Sequence, residues 1–254
     1  MSAILHVHHL SKHFGGVAAV DDCTFDVQEG TITGLIGPNG AGKTTTFNLI
    51  TGVLKPDQGE IYFRDRLITG LSPDRIARLG LVRTFQIPRV FARMTVWENL
   101  MYAAPHHPGE RVWKAPFKPL WIAHEKGYAE KAHAILEFLG LAHLTDEYAG
   151  TLSGGQRKLL ELGRVLMMDP QVILLDEPMA GVNPTLRQTI IKRIHELNEQ
   201  GITFLIVEHD MEMIMSVSDE IVVMHYGHVL AAGKPEEVRR NPLVLEAYLG
   251  GAVI

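Results

Sequence analysis

The amino-acid sequence predicts an α/β fold: a mostly parallel sheet with helices on both faces, joined by an antiparallel β subdomain and an inserted helical lobe. Residues 31–51 read as a buried strand, a glycine-rich loop and a helix. The final third alternates strand-sized apolar runs (172–175, 203–207) with helical segments (185–200, 211–217), the pattern of βαβ units. Between these parts, 90–155 drops the strand pattern and turns helical. It is expected to be a lobe inserted into a single domain, 1–254, whose core is 1–89 and 156–254.

Taken in order, residues 4–10 alternate as a strand that places His6 and His8 on one face. Two imidazoles without a third ligand fit a solvated strand edge better than a metal pair. Phe14 follows on a glycine-rich turn, an aromatic able to stack on a base or to pack in the core. Strands at 20–27 and 31–36 flank a turn at 28–30, and the helix after the glycine loop closes at Gly52. A turn at 55–59 leads to a strand at 60–63, so antiparallel hairpins wrap a parallel core. A short helix over 73–79 and a strand over 80–86, ending at Gln86, complete the first third. In the lobe, 96–103 and 129–139 are helical. The connector between them holds Pro105, Pro108, Pro116 and Pro119 with Trp113, Phe117 and Trp121, and is expected to be an irregular cap on the lobe rather than the alternative, a partner-binding surface. Farther on, Ile190, Ile191, Ile194 and Leu197 give helix 185–200 one apolar face. Strands at 220–225 and 228–232 turn at Tyr226 and Gly227.

The glycine loop is Gly37, Pro38, Asn39, Gly40, Ala41, Gly42, Lys43, Thr44, Thr45, with the spacing G-x-x-x-x-G-K-[ST]. Its glycines let successive backbone N–H groups converge on one anion, and the following helix adds the positive end of its dipole. Lys43 can then reach the β- and γ-phosphates of a nucleotide, and the Thr44 hydroxyl can ligate Mg²⁺. The core is therefore expected to be a P-loop NTPase. A chance glycine turn before a helix would not carry the preceding strand and the Lys-Thr pair together.

Bulk properties narrow the partners. Hydrophobic residues at 46% and charged residues at 21% are ordinary for a globular chain. A formal net charge of −5 argues against a nonspecific nucleic-acid binder. The single cysteine, Cys23, excludes an internal disulfide framework, fits a reducing cytoplasm, and sits in an alternating stretch as a small core residue. The start lacks a signal-peptide pattern, and no window approaches the ~20 apolar residues of a membrane span, so membrane attachment is expected to come through a partner.

Two further motifs carry chemistry. The apolar strand 172–175 ends in Asp176 and Glu177, which delivers two carboxylates to the edge where ligands bind in such sheets. Asp176 can hold Mg²⁺, and Glu177 can accept a proton from an attacking water. The segment Leu152, Ser153, Gly154, Gly155, Gln156 precedes a helix running to about Met168. Ser153 and Gln156 make a capping box, but two consecutive glycines are unfavourable at a helix start unless something approaches the backbone closely.

These motifs, in this order and over nearly the whole chain, resemble those of the ATP-binding cassette (ABC) ATPases. The resemblance makes Leu152 to Gln156 the signature loop, Gln86 the glutamine that senses Mg²⁺, and Asp176 with Glu177 the end of the Walker B strand. It makes His209 the switch histidine at the γ-phosphate and Phe14 the adenine-stacking aromatic. Asn183 stands where many of these ATPases have aspartate. That departure, with the stretches 14–16, 82–86, 208–211 and 247–250, is similar to the branched-chain amino-acid uptake subgroup; lipopolysaccharide-export ATPases share several of the same features.

The resemblance implies an ATP hydrolase that uses Mg²⁺ and works as a head-to-tail dimer with a second ABC ATPase, each ATP held between one phosphate loop and the opposite signature loop. It implies integral membrane permease subunits as partners and a periplasmic or extracellular binding protein acting indirectly. The chain would then sit on the cytoplasmic face of the plasma (inner) membrane. A small P-loop kinase or GTPase would have no use for the signature loop. A DNA-tethering cassette clamp would need a long coiled coil, and 95–150 is too short and too broken by proline.

Overall fold

The computed structural model describes residues 2–84, 90–105 and 119–249. The chain divides into two compact units, one built from 1–83, 171–179 and 194–254, the other from 84–170 and 180–193.

In chain order the elements are β1 (Ala3–Phe14), β2 (Val17–Gln28), β3 (Ile32–Ile36), α1 (Lys43–Ile50), β4 (Gln58–Phe63), β5 (Arg66–Leu67), α2 (Pro73–Arg78) and β6 (Leu81–Arg83). Next come α3 (Val96–Tyr102), α4 (Pro119–Leu139), α5 (Gly154–Leu166), β7 (Val172–Asp176) and α6 (Pro184–Glu199). The chain ends with β8 (Thr203–Val207), α7 (Met211–Val217), β9 (Glu220–His225), β10 (His228–Gly233), α8 (Pro235–Arg239) and α9 (Pro242–Leu249).

The first unit holds two sheets. An antiparallel sheet has the order β2-β1-β4-β5, and a second sheet the order β10-β9-β3-β8-β7-β6. In the second, β9, β3, β8, β7 and β6 run parallel and β10 pairs antiparallel with β9. Strands β3, β7 and β8 are buried along their full length, as parallel strands covered on both faces must be. One apolar cluster joins the two sheets: Leu5, Val7 and Leu10 from β1, Phe47 and Ile50 from α1, and Leu174, Leu205 and Met224 from the parallel sheet. Each such side chain, fully removed from water, contributes roughly 1.5–3 kcal/mol. Cys23 belongs to this cluster, and burial pushes its thiol up to about 12.

Two local expectations are corrected here. His6 and His8 do not lie on a sheet edge, because β1 is paired on both sides, with β2 and with β4. The two rings stack on the open face of the sheet, 5.8 Å between centroids, and His6 Nδ1 lies 2.8 Å from Asp26 Oδ1. The pairing of β1 with β4 spans some fifty residues, so alternation within β1 alone cannot report it. The connector expected to be irregular is helical from Pro119 onward. Proline at the first helical position gives up only an N–H that has no partner there. Trp113 and Phe117 lie outside the described residues.

The second unit is helical. Gly163 of α5 is where three helices meet: a methyl group there would touch Leu100 of α3 and Ile135 and Leu139 of α4 at 3.0–3.2 Å. Buried Asn99 ties the chain before α3, accepting from the Phe91 N–H at 2.8 Å and donating to the Thr95 carbonyl at 2.9 Å. Lys131 closes α4 onto the end of α5 through the Met167 carbonyl at 2.8 Å.

Candidate nucleotide site

The phosphate loop leaves β3 and enters α1 with no side-chain cap on the helix and no acidic residue in its first turn. The first-turn N–H groups are thus left for an anion. Gly42, the N-cap, has φ +101°, and a Cβ there would sit 2.4 Å from the Ala19 carbonyl, so only glycine is admitted. From the other side the β9–β10 turn braces the loop: the Gly227 N–H donates to the Ala41 carbonyl at 3.1 Å. Asn39 and Gly40 form the exposed tip, while Gly37 and Ala41 are buried, and Pro38 and Thr45 are half-buried.

Lys43 is 6% exposed, and its ammonium donates to the carbonyls of Gly37 (2.7 Å) and Pro38 (3.0 Å). Burial lowers its hold on the proton, and the fields of Glu177 and Asp176 act in the opposite sense. Those two carboxylates therefore lie near enough to the loop lysine for their charge to act on it. The neighbouring Thr44 is exposed.

Asp176 ends β7 and is almost wholly buried. Its Oδ2 accepts from Arg83 at 2.6 Å, and the other arm of the same guanidinium donates to Asn48 of α1, also at 2.6 Å. Glu177 follows with φ +48°, a left-handed conformation that is strained for a side chain of this size. Its own N–H, bonded to the Val207 carbonyl at 2.9 Å, holds the turn. The turn aims Glu177 at His209, whose Nε2 lies 2.7 Å from Glu177 Oε1. Buried Glu208 locks the two ends together, accepting from the Met179 N–H at 2.7 Å and from the His209 N–H at 3.2 Å.

Lys43, Asp176, Glu177 and His209 are thus brought together in the first unit. Phe14 ends β1 as an exposed ring, and its hairpin leads into Ala19, whose carbonyl lies against Gly42. Gln86 lies outside the described residues.

The signature segment belongs to the second unit and starts α5. Its capping box is formed, with the Ser153 N–H donating to Gln156 Oε1 at 2.9 Å and the Gln156 N–H to Ser153 Oγ at 3.3 Å. The close approach expected at the double glycine exists at Gly155, where a Cβ would overlap Leu186 of α6 at 1.9 Å. Gly154 is open, with nothing within 4 Å of such a carbon. Ser153 and Gly154 are exposed, so α5 presents its N-terminus outward. Asn183 caps α6 through Oδ1 to the Leu186 N–H at 2.9 Å. Asparagine caps about as well as aspartate, so only the charge is lost there.

Sequence reasoning missed Arg83, Asn48, Glu208 and the Gly227 brace. The stretches 82–86 and 208–211 and the turn at Gly227 mark three of these residues in the sequence, but not the contacts they make. It also missed α9: Leu243, Glu246 and Ala247 share a cavity of about 660 Å³ with Pro38 to Ala41.

A glycine loop leading into a helix without a side-chain cap, a buried lysine near two carboxylates, and a carboxylate-histidine pair are the parts of a phosphate-loop nucleotide hydrolase. Residues 20–180 match the family model described as ABC transporter, and 228–254 match one described as branched-chain amino acid ATP-binding cassette transporter. The chain belongs to the ABC transporter family and is an ATP-binding, ATP-hydrolysing cassette of it. A relative named "Probable branched-chain amino acid transport ATP-binding protein LivG", from Archaeoglobus fulgidus, is 46% identical over 97% of this chain and 95% of its own. The high-affinity branched-chain amino acid transport ATP-binding protein BraF of Pseudomonas aeruginosa is 43% identical over 98% of each. A crystal structure of the ADP conformation of an ATP-binding cassette superposes with a TM-score of 0.85 at 43% identity, covering 98% of this chain and 100% of that one. Among the described residues no helix is long and apolar enough to cross a membrane.

Proposed function

We propose that this ATPase drives an integral membrane permease that imports branched-chain amino acids or related small amides, from the cytoplasmic face of the membrane. The observation that carries the substrate class is likeness along the whole chain, including 228–254, to ATP-binding proteins named for that transport. The working unit is a head-to-tail pair with a second copy or a sister ATPase. A binding protein outside the membrane delivers cargo to the permease.

Within each site, first-turn N–H groups and Lys43 bind the phosphates, and Phe14 stacks on the base. The hard oxygen donors of Thr44 and Asp176, next to the loop lysine, fit a magnesium ion. Bound there with Gln86, that ion would neutralise charge on the β- and γ-phosphates. Glu177 takes the proton of the attacking water, and His209 holds Glu177 at 2.7 Å while offering its ring to the γ-phosphate. Ser153 and the N–H groups of Gly154, Gly155 and Gln156 meet the γ-phosphate of the opposite subunit, since the outward N-terminus of α5 needs an anion. In this scheme the chain is a single domain, 1–254, with core 1–89 and 156–254, and the lobe 90–155 passes closure to the permease.

Substituting Ser153 by alanine tests the dimer. Loss of the cap is expected to lower stability by ~1 kcal/mol, a fall of about 2–4 °C in Tm. ATP binding to the monomer should survive while cooperative hydrolysis falls about 10-fold or more, read from rate against protein concentration. Loss of nucleotide from the monomer would place the signature loop in its own subunit's site and refute the pairing. For the cargo, the chain co-expressed with its membrane partners in vesicles should support ATP-dependent leucine uptake. Lipid extraction without amino-acid uptake would favour the export ATPases instead.

A further inference from the structure

We propose that Arg83 is a positioning residue of the ATPase site, fixing the distance and orientation between the two cation ligands, Thr44 and Asp176. The inference rests on the assignment of those two residues to magnesium.

The geometry is specific. Thr44 and Asn48 are four residues apart on α1 and so lie on one face of that helix, one turn apart. Asn48 Oδ1 accepts from one arm of the Arg83 guanidinium at 2.6 Å, and Asp176 Oδ2 accepts from the other arm at 2.6 Å. The planar fork therefore measures off the gap between α1 and the end of β7. A further contact holds the fork itself, since its central carbon lies 5.5 Å from the Phe47 ring centre. The Arg83 and Asp176 side chains are 8% and 5% exposed, so the bond is screened little by water.

A surface ion pair would do none of this. Arg83 holds one carboxylate oxygen of Asp176 at 2.6 Å, which fixes the orientation of the carboxylate and leaves its other oxygen for a cation. Partners that orient a ligating carboxylate in this way govern metal affinity, and their loss typically costs 10–100-fold. Arg83 is also the last residue of β6.

Lysine at this position keeps the charge but cannot make the two-armed contact, so a change reports orientation rather than electrostatics. The test uses Arg83→Lys in the full chain and reads binding of a fluorescent ADP analogue, without magnesium and over a magnesium titration. Nucleotide affinity in EDTA should stay within about 2-fold of wild type, since the loop and Lys43 are untouched. The magnesium concentration giving half of the magnesium-dependent tightening should rise about 10-fold. Equal losses with and without magnesium, tracking a fall in Tm, would make Arg83 a structural brace only and overturn the proposal.

Should Arg83→Lys fail to fold, Asn48→Ala decides. It leaves the ion pair but removes the Asn48 contact, and should raise the magnesium requirement about 3-fold, less than the loss expected when the two-armed contact itself is broken. No change there refutes the measuring role. Asp176→Asn is the control. If it leaves the magnesium requirement unmoved, the magnesium assignment is wrong. If it moves the requirement and Arg83→Lys does not, that assignment stands and the role given to Arg83 fails.

Discussion

Glutamine in place of Glu177 is expected to abolish steady-state ATP hydrolysis while leaving ATP affinity within about 2-fold of wild type. A positioned general base contributes about 10²–10⁴ in rate, and the amide cannot accept the proton of the attacking water. The phosphate contacts, from the first-turn N–H groups of α1 and from Lys43, do not involve this side chain. Glutamine keeps the size of glutamate and can still pair with His209 Nε2, so the left-handed turn at residue 177 should persist. With binding intact and hydrolysis gone, ATP should hold two copies together, and a dimer should accumulate on gel filtration in ATP but not in ADP. Turnover near the wild-type rate would take the general-base role from Glu177 and hand it to another group. Hydrolysis lost without a dimer would keep the base and refute the closing mechanism.

The candidate site residues could be picked out beforehand because they stand in short local motifs. The loop from Gly37 to Thr45 needs only its own spacing and its flanking strand and helix. Asp176 and Glu177 are legible because a fully apolar strand can end in acids only where it leaves the core, and in a parallel sheet that end faces the ligand crevice. What could not be read is how these pieces are held. Arg83 bonds to Asp176 across ninety-three positions, and Glu208 to Met179 across twenty-nine. Neither contact leaves a periodic trace, since one polar residue at a strand end looks like any other. The double glycine shows the intermediate case. Its unfavourable backbone entropy announced a close approach, but nothing local could say that Leu186 makes the approach, or that it is made to Gly155 and not to Gly154. The fold was legible where strands neighbour one another through short connections. It was not where β1 meets β4 around two intervening strands, a helix and their loops, and that pairing is what removed His6 and His8 from the sheet edge.

Alanine at Lys43 should separate the stability of the protein from its function. The Lys43 ammonium is buried against the Gly37 and Pro38 carbonyls, and its pKa is lowered by that burial. A base whose pKa falls on folding costs the folded state stability at every pH below the folded value. The cost fades as pH rises from the folded value toward the ordinary lysine value near 10.5. Alanine removes this cost together with two hydrogen bonds, so at pH 7 the Tm without nucleotide should stay within about 4 °C of wild type. ATP binding should not survive so well. A charge-assisted contact to phosphate contributes about 1.5–3 kcal/mol, a loss of roughly 10–150-fold in affinity. At an ATP concentration about 100 times the wild-type Kd, ligand binding stabilises the wild type by about 2.7 kcal/mol, a rise of several degrees in Tm. The same ATP should stabilise the variant by only about 0.3–1.4 kcal/mol, at most about half of the wild-type rise. An ATP-induced rise equal to wild type would show that the phosphates lie elsewhere. A variant that melts far below wild type without nucleotide would instead make Lys43 a structural tie of the loop. The carbonyls it now bonds would then be its real partners, with the nucleotide incidental to its burial.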